Sequence, residues 1–212
     1  MKVSESIYIA LRDRLMSGFY EPGTRLVEEA LASELDASRT PVRAAIQKLI
    51  ADGFLEQAPK RGAVVSMVGK SEIVDIYNLR VVLEGHAVCL ASERVSENSL
   101  NAMKETVNRM EHAIDNKKIG YQEVLKEANR DFHYLIYESS LNPMIRSFGS
   151  RLLEFPLVIG RYYIYTDEQV RNSIKEHRQI IKAIETGDAQ WAKSSIESHL
   201  MGALNSFKRK PT

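Results

Sequence analysis

The sequence predicts a mainly α protein in two parts, an N-terminal winged helix-turn-helix followed by an all-α antiparallel six-helix bundle. Three observations carry that expectation. Apolar residues recur with helical spacing along almost the whole chain. The only short extended stretches, 54–57 and 63–66, flank a turn rich in Pro, Gly and basic residues. And 212 residues exceed one ordinary domain of about 100 to 150.

From the N-terminus, Ile7, Ala10, Leu11 and Leu15 mark a helix over 4–17, stopped by Ser17-Gly18 and Pro22-Gly23. Residues 26–35 form a second, short amphipathic helix. Ser38 is placed to cap a third, with Pro41 tolerated in its first turn and Val42, Ala45, Ile46 and Leu49 on one face. That helix ends near Asp52-Gly53, and the two extended stretches then make a two-stranded hairpin with a basic tip. From Ser71 onward helical periodicity covers 71–93, 97–116, 121–139, 143–160, 168–186 and 188–207. Short connections imply antiparallel neighbours, hence a bundle. Pro156 should kink the fourth of these helices. The division expected is 1–68 for the first domain and 69–212 for the second.

Composition narrows the class. With 44% hydrophobic and 27% charged residues, the chain can bury a core and is not disordered. The opening MKVSESIYIALRDRL lacks an apolar export signal, and no apolar run approaches the roughly 18 residues of a membrane span; even VVLEGHAVCLA is broken by Glu84 and His86. A lone cysteine, Cys89, reads as a packed thiol in a reducing compartment, so a cytoplasmic protein without membrane contact is expected. The net charge of +1 hides a local asymmetry: residues 37–51 carry three cations and no acid, with Lys60 and Arg61 close behind. A local basic face, not a high pI, is what phosphate contact requires.

Residues 22–62 carry a long motif: Pro22, Gly23, Leu26, Glu28, Leu31, Ala32, Leu35, then Ser38-Arg39-Thr40-Pro41-Val42-Arg43, Ala45, Leu49, Gly53 and Gly62. In this register the segment resembles the GntR family of bacterial regulators, which implies a ligand-responsive transcription regulator, in all expectation a repressor, acting on a double-stranded DNA operator. Arg39 and Arg43 stand four apart on the third helix and project together from the part that enters a major groove, where arginine can bond guanine O6 and N7 bidentately. Ser38 and Thr40 suit phosphate oxygens. Lys60, Arg61 and Gly62 form a wing tip suited to a minor groove. Asp36 stands where the family usually has a turn glycine, and Ala44 where it usually has glutamate. Reading an inverted repeat takes two recognition helices about one DNA turn apart, so a homodimer is expected.

The second part resembles the FadR subfamily's FCD effector domain, in its shorter VanR-like six-helix branch. The residues are Asn129 four before His133, Glu176-His177, and His199-Leu200. The resemblance implies a metal site of Asn129, His133, His177 and His199. The spacing agrees: His177 lies ten residues before Gly187 and His199 twelve after it. On paired helices that puts them about 15 and 18 Å from the turn, nearly level. A nitrogen-rich set of this kind suits Zn²⁺ or Ni²⁺, with positions left for a small carboxylate effector. Arg80 and Glu84 have the spacing of an intrahelical ion pair; the resemblance implies that Arg80 faces the effector cavity instead. His86 and His112 are assigned to packing and solvation. The competing class is a metal-dependent hydrolase-like enzyme built on the three histidines. No HExxH, GxSxG or Glu-x-x-His pair supports it, and no enzyme activity is expected.

Overall fold

A computed structural model describes residues 3–59, 62–66, 70–159 and 166–209; the side chains of 70 and of 154–159 fall outside the description. The chain divides into two compact units, the first holding the N-terminal helices and sheet, the second most of the chain beyond residue 70.

In the first unit, α1 (Val3–Ser17), α2 (Glu28–Glu34) and α3 (Arg39–Ala51) surround a small sheet of β1 (Arg25–Leu26), β2 (Leu55–Gln57) and β3 (Ala63–Val65). The apolar stripe of α1 meets that of α3, and Leu11, Leu15, Val42, Ile46 and Leu49 are buried with Leu55, Ala63 and Val65 beneath them. Each large aliphatic side chain so removed from water contributes about 1.5–3 kcal/mol, which makes this stripe the chief adhesive of a small domain.

The expected two-stranded hairpin is a three-stranded sheet of order β1-β3-β2. Arg25 and Leu26 pair antiparallel with Val64 and Ala63, so Leu26 belongs to a strand and the second helix begins only at Glu28. Gly62 has φ +101°, and a Cβ there would lie 2.4 Å from the Leu26 carbonyl oxygen. The strand β1 therefore requires glycine at this position, whatever else the wing touches. Asp36 takes the left-handed conformation, φ 46°, that the missing turn glycine would adopt freely. Ser38 occupies the N-cap of α3 but makes no capping bond. Lys60 and Arg61 lie outside the described residues.

The second unit is an all-α bundle of α4 (Lys70–Arg94), α5 (Glu97–Asn116), α6 (Tyr121–Ser139), α7 (Pro143–Ile159), α8 (Asp167–Glu185) and α9 (Ala189–Lys208). Its helix starts are chemically marked. The Ser96 hydroxyl accepts from Ser99 N, Thr166 and Gln169 form a reciprocal capping box, and Asp188 accepts from Trp191 N. Helix α4 packs on α9, α6 and α8, and α5 on α6 and α8. Helix α7 runs through Pro156 to Ile159, so the proline does not end it. Among the described residues no helix is long and apolar enough to cross a membrane.

Candidate metal centre and nucleic-acid face

Helices α6, α8 and α9 each bring one histidine to the middle of the bundle, because each histidine sits on its helix's apolar stripe: His133 beside Phe132 and Ile136, His177 between Ile174 and Ile181, His199 beside Ile196. All three are buried, and one ring nitrogen from each lies within 4.8 Å of the others. His177 Nε2 and His199 Nε2 stand 3.2 Å apart. Two nitrogens about 2.0–2.1 Å from one tetrahedral zinc ion would be about 3.3 Å apart, so the donor set fits a metal ion.

The outward nitrogens show how two rings are held. His133 Nδ1 lies 2.6 Å from Glu84 Oε2, and His199 Nδ1 2.7 Å from Glu176 Oε2. A carboxylate only accepts, so in both rings Nδ1 carries a hydrogen, which in a neutral ring leaves on Nε2 the lone pair a metal needs. His177 Nδ1, by contrast, is buried without a hydrogen-bond partner. Burial is the main cause holding His133 down to about 4 against the pull of Glu84; burial, then the neighbouring His199, His133 and Arg80, hold His177 well below its ordinary value. Both imidazoles are therefore neutral, as ligation requires.

Glu84 has the ion-pair spacing with Arg80 that the sequence shows, but its place beside His133 is what sequence reasoning passed over. It is wholly buried, and besides His133 it accepts from Arg80 Nε at 2.7 Å and from the Tyr137 hydroxyl at 3.0 Å. Burial alone would raise its carboxyl, but Arg80 and then His133 hold it at about 2, so it stays ionised. The signal was an acid four residues after an arginine inside an otherwise apolar run. The ion pair with Arg80 is thus real, and it leaves work for Arg80 as well: Nη2 is buried with no hydrogen-bond partner. A buried cationic donor of this kind calls for an acceptor. Asn129 is half-buried on α6, one turn before His133. His86 is exposed with Leu79 and Val82, so bundle packing does not account for it; His112 is exposed and meets Asn116.

On the first unit Ser38, Arg39, Thr40 and Arg43 are all exposed at the start of α3. They share one face with no acid of α3 itself among them. Both arginines instead meet carboxylates of α2: Arg39 Nη1 lies 2.7 Å from Glu29, and Arg43 meets Glu28.

A three-helix unit with a β wing, followed by a helical bundle, defines a class: DNA-binding transcription regulators with a second, all-helical domain. The chain belongs to the gntR family of bacterial regulatory proteins, matched over residues 3–65, and carries an FCD domain, matched over 75–202. It is 29% identical to the transcriptional regulator McbR of Escherichia coli over 183 residues, 85% of this chain and 81% of that protein. It is 28% identical to the gluconate operon transcriptional repressor of Bacillus licheniformis over 198 residues, 89% of this chain and 78% of that protein. The structure of E. coli McbR/YncC superposes with a TM-score of 0.81 at 25% identity, covering 99% of this chain and 100% of that one.

Proposed function

We propose that this chain is a cytoplasmic, homodimeric transcription repressor of the FadR type, VanR-like branch. Residues 1–68 bind an operator and 69–212 bind a divalent transition metal, Zn²⁺ or Ni²⁺, with a small organic acid. The observation that carries the sensory half is the convergence of three buried imidazoles beside a buried arginine with an unpartnered nitrogen. His133, His177 and His199 would hold the ion, with the Asn129 carbonyl as a neutral fourth donor. When bound, the metal supplies a Lewis-acidic site for a carboxylate oxygen. Glu84 and Glu176 orient two of the rings, and Arg80 offers Nη2 to the acid's other oxygen.

On the DNA side, Arg39 and Arg43 reach base edges, Ser38 and Thr40 reach phosphates, and Lys60, Arg61 and Gly62 anchor the wing. The names of repressors among the relatives support the sign of regulation. A hydrolase-like reading has less behind it: the two carboxylates nearest the imidazoles are already bonded to ring nitrogens, which leaves neither placed as a general base.

The test is elemental analysis after reconstitution, with DNA binding measured alongside. About one equivalent of transition metal, lost in His177→Ala together with the response to organic acids, is the expected result. Less than about a tenth of an equivalent, with no chelator effect on melting temperature, would leave three packed core histidines as the better account.

A further inference from the structure

The two arginines of α3 are both paired with carboxylates of α2, but the pairings differ in kind. Glu28 takes Arg43 from the side: Nε lies 3.0 Å from both Oε1 and Oε2, and Nη2 2.8 Å from Oε2. The Glu28 side chain is only 17% exposed, whereas that of Arg43 is 61% exposed. Glu29 meets Arg39 at Nη1, and it is itself 65% exposed.

A side-on bidentate contact fixes the plane of a guanidinium without using its outer edge. For Arg43 that edge is Nη1 with the second hydrogen of Nη2, and neither has a partner among the described residues. Guanine O6 and N7 accept two parallel N–H donors, and the outer edge supplies them. Arg39 meets Glu29 through Nη1 without such a side-on pair, so the plane of its guanidinium is not fixed. Only one of the two arginines is thus held ready in a base-reading pose.

We propose that Glu28 is a positioning residue for sequence readout: it presents the outer guanidinium edge of Arg43 to a guanine and so converts a cation on α3 into a base-specific contact. This rests on the reading of α3 as the recognition helix. The arrangement has a cost, since a carboxylate on a DNA-facing surface repels phosphates and lowers affinity for every duplex alike. Its return is an arginine already ordered before binding, which sharpens the difference between right and wrong sequences. Affinity for random DNA and discrimination between sequences should therefore move in opposite directions when Glu28 is changed.

The experiment uses the full-length chain and a library of duplexes with a randomised inverted repeat. Wild type and Arg43→Ala define the base pair that Arg43 reads, as the position whose guanine preference flattens in the variant. At that position Glu28→Gln should lose about tenfold of the preference while binding random duplex at low salt as tightly as wild type or more so. Retained binding to random duplex also shows that the variant is folded. Glu28→Asp is the decisive second variant. It keeps the charge but shortens the reach by one methylene, so a positioning role predicts the same loss of preference and a purely electrostatic role predicts none. If Glu28→Gln binds all sequences more tightly with the guanine preference intact, Glu28 merely sequesters Arg43 and the proposal fails. If wild type enriches no sequence, or Arg43→Ala flattens no position, the recognition-helix reading fails and takes this proposal with it.

Discussion

A neutral histidine inside a bundle ties stability to pH with a definite sign. His133 has an ordinary value of 6.5 and is held down to about 4, chiefly by burial. In the unfolded chain it takes a proton near its ordinary value, so between 6.5 and about 4 the unfolded state binds more protons than the folded one. Stability from this residue is complete above that window and is lost as pH falls through it; His177, also held low, acts in the same direction. Chelator-treated protein should therefore lose up to about 1.4 kcal/mol per pH unit for each such histidine, read by urea unfolding at several pH values. A flat unfolding free energy across the window would contradict the burial of these rings. The companion change is Glu84→Gln. It removes the charge that sets the His133 tautomer, and metal affinity by chelator competition should fall about 10- to 100-fold. Unchanged affinity would mean that His133 is not a ligand.

Helix ends show what a sequence can and cannot carry at the scale of elements. The bounds 97–116 and 121–139 are legible because Ser96 caps one helix, and Lys117 and Gly120, both at positive φ, break the chain between the two. Strand β1 is not legible: two residues hold no period, and its pairing partner β3 lies almost forty positions on. Spacing across one turn levels His177 with His199, and His133 joins them in the sequence through the resemblance to the FCD domain. Their carboxylate partners are not legible, since Glu84 is 49 positions from His133 and Glu176 is 23 from His199. The turn between α6 and α7 holds a local conflict of its own. Leu141 is 69% exposed with φ 53°, so it stores left-handed strain without burying its side chain. Leu141→Gly should raise stability by up to about 1 kcal/mol, measured as a denaturation midpoint; a loss would show that the exposed leucine has a partner elsewhere. The opposite outcome is expected at Gly149 of α7, where a Cβ would lie 2.6 Å from the Tyr137 ring. Tyr137 is buried and bonded to Glu84, so it cannot swing aside, and Gly149→Ala should cost about 1–3 kcal/mol while weakening metal retention as well.

At the scale of the whole molecule, regulation requires that occupancy of one unit change the affinity of the other, and thermodynamics makes that requirement symmetric. If an organic acid at the Arg80 and imidazole site lowers operator affinity by some factor, then operator DNA must lower affinity for the acid by the same factor. Couplings of this kind amount to about 1–3 kcal/mol, or about 5- to 150-fold. Two titrations on one sample therefore check each other: an enriched duplex titrated with and without saturating acid, and the acid titrated calorimetrically with and without duplex. Equal factors in that range are expected of metal-loaded protein. In His177→Ala both factors should collapse to one together, while binding to the duplex alone persists, because His133, His177 and His199 all belong to the second unit. Unequal factors would mean that acid and DNA act on different assemblies, such as dimer and monomer, and would move the switch from the bundle to the dimer equilibrium. Factors of one in the metal-loaded wild type, with acid binding confirmed, would separate the sensory site from DNA control altogether.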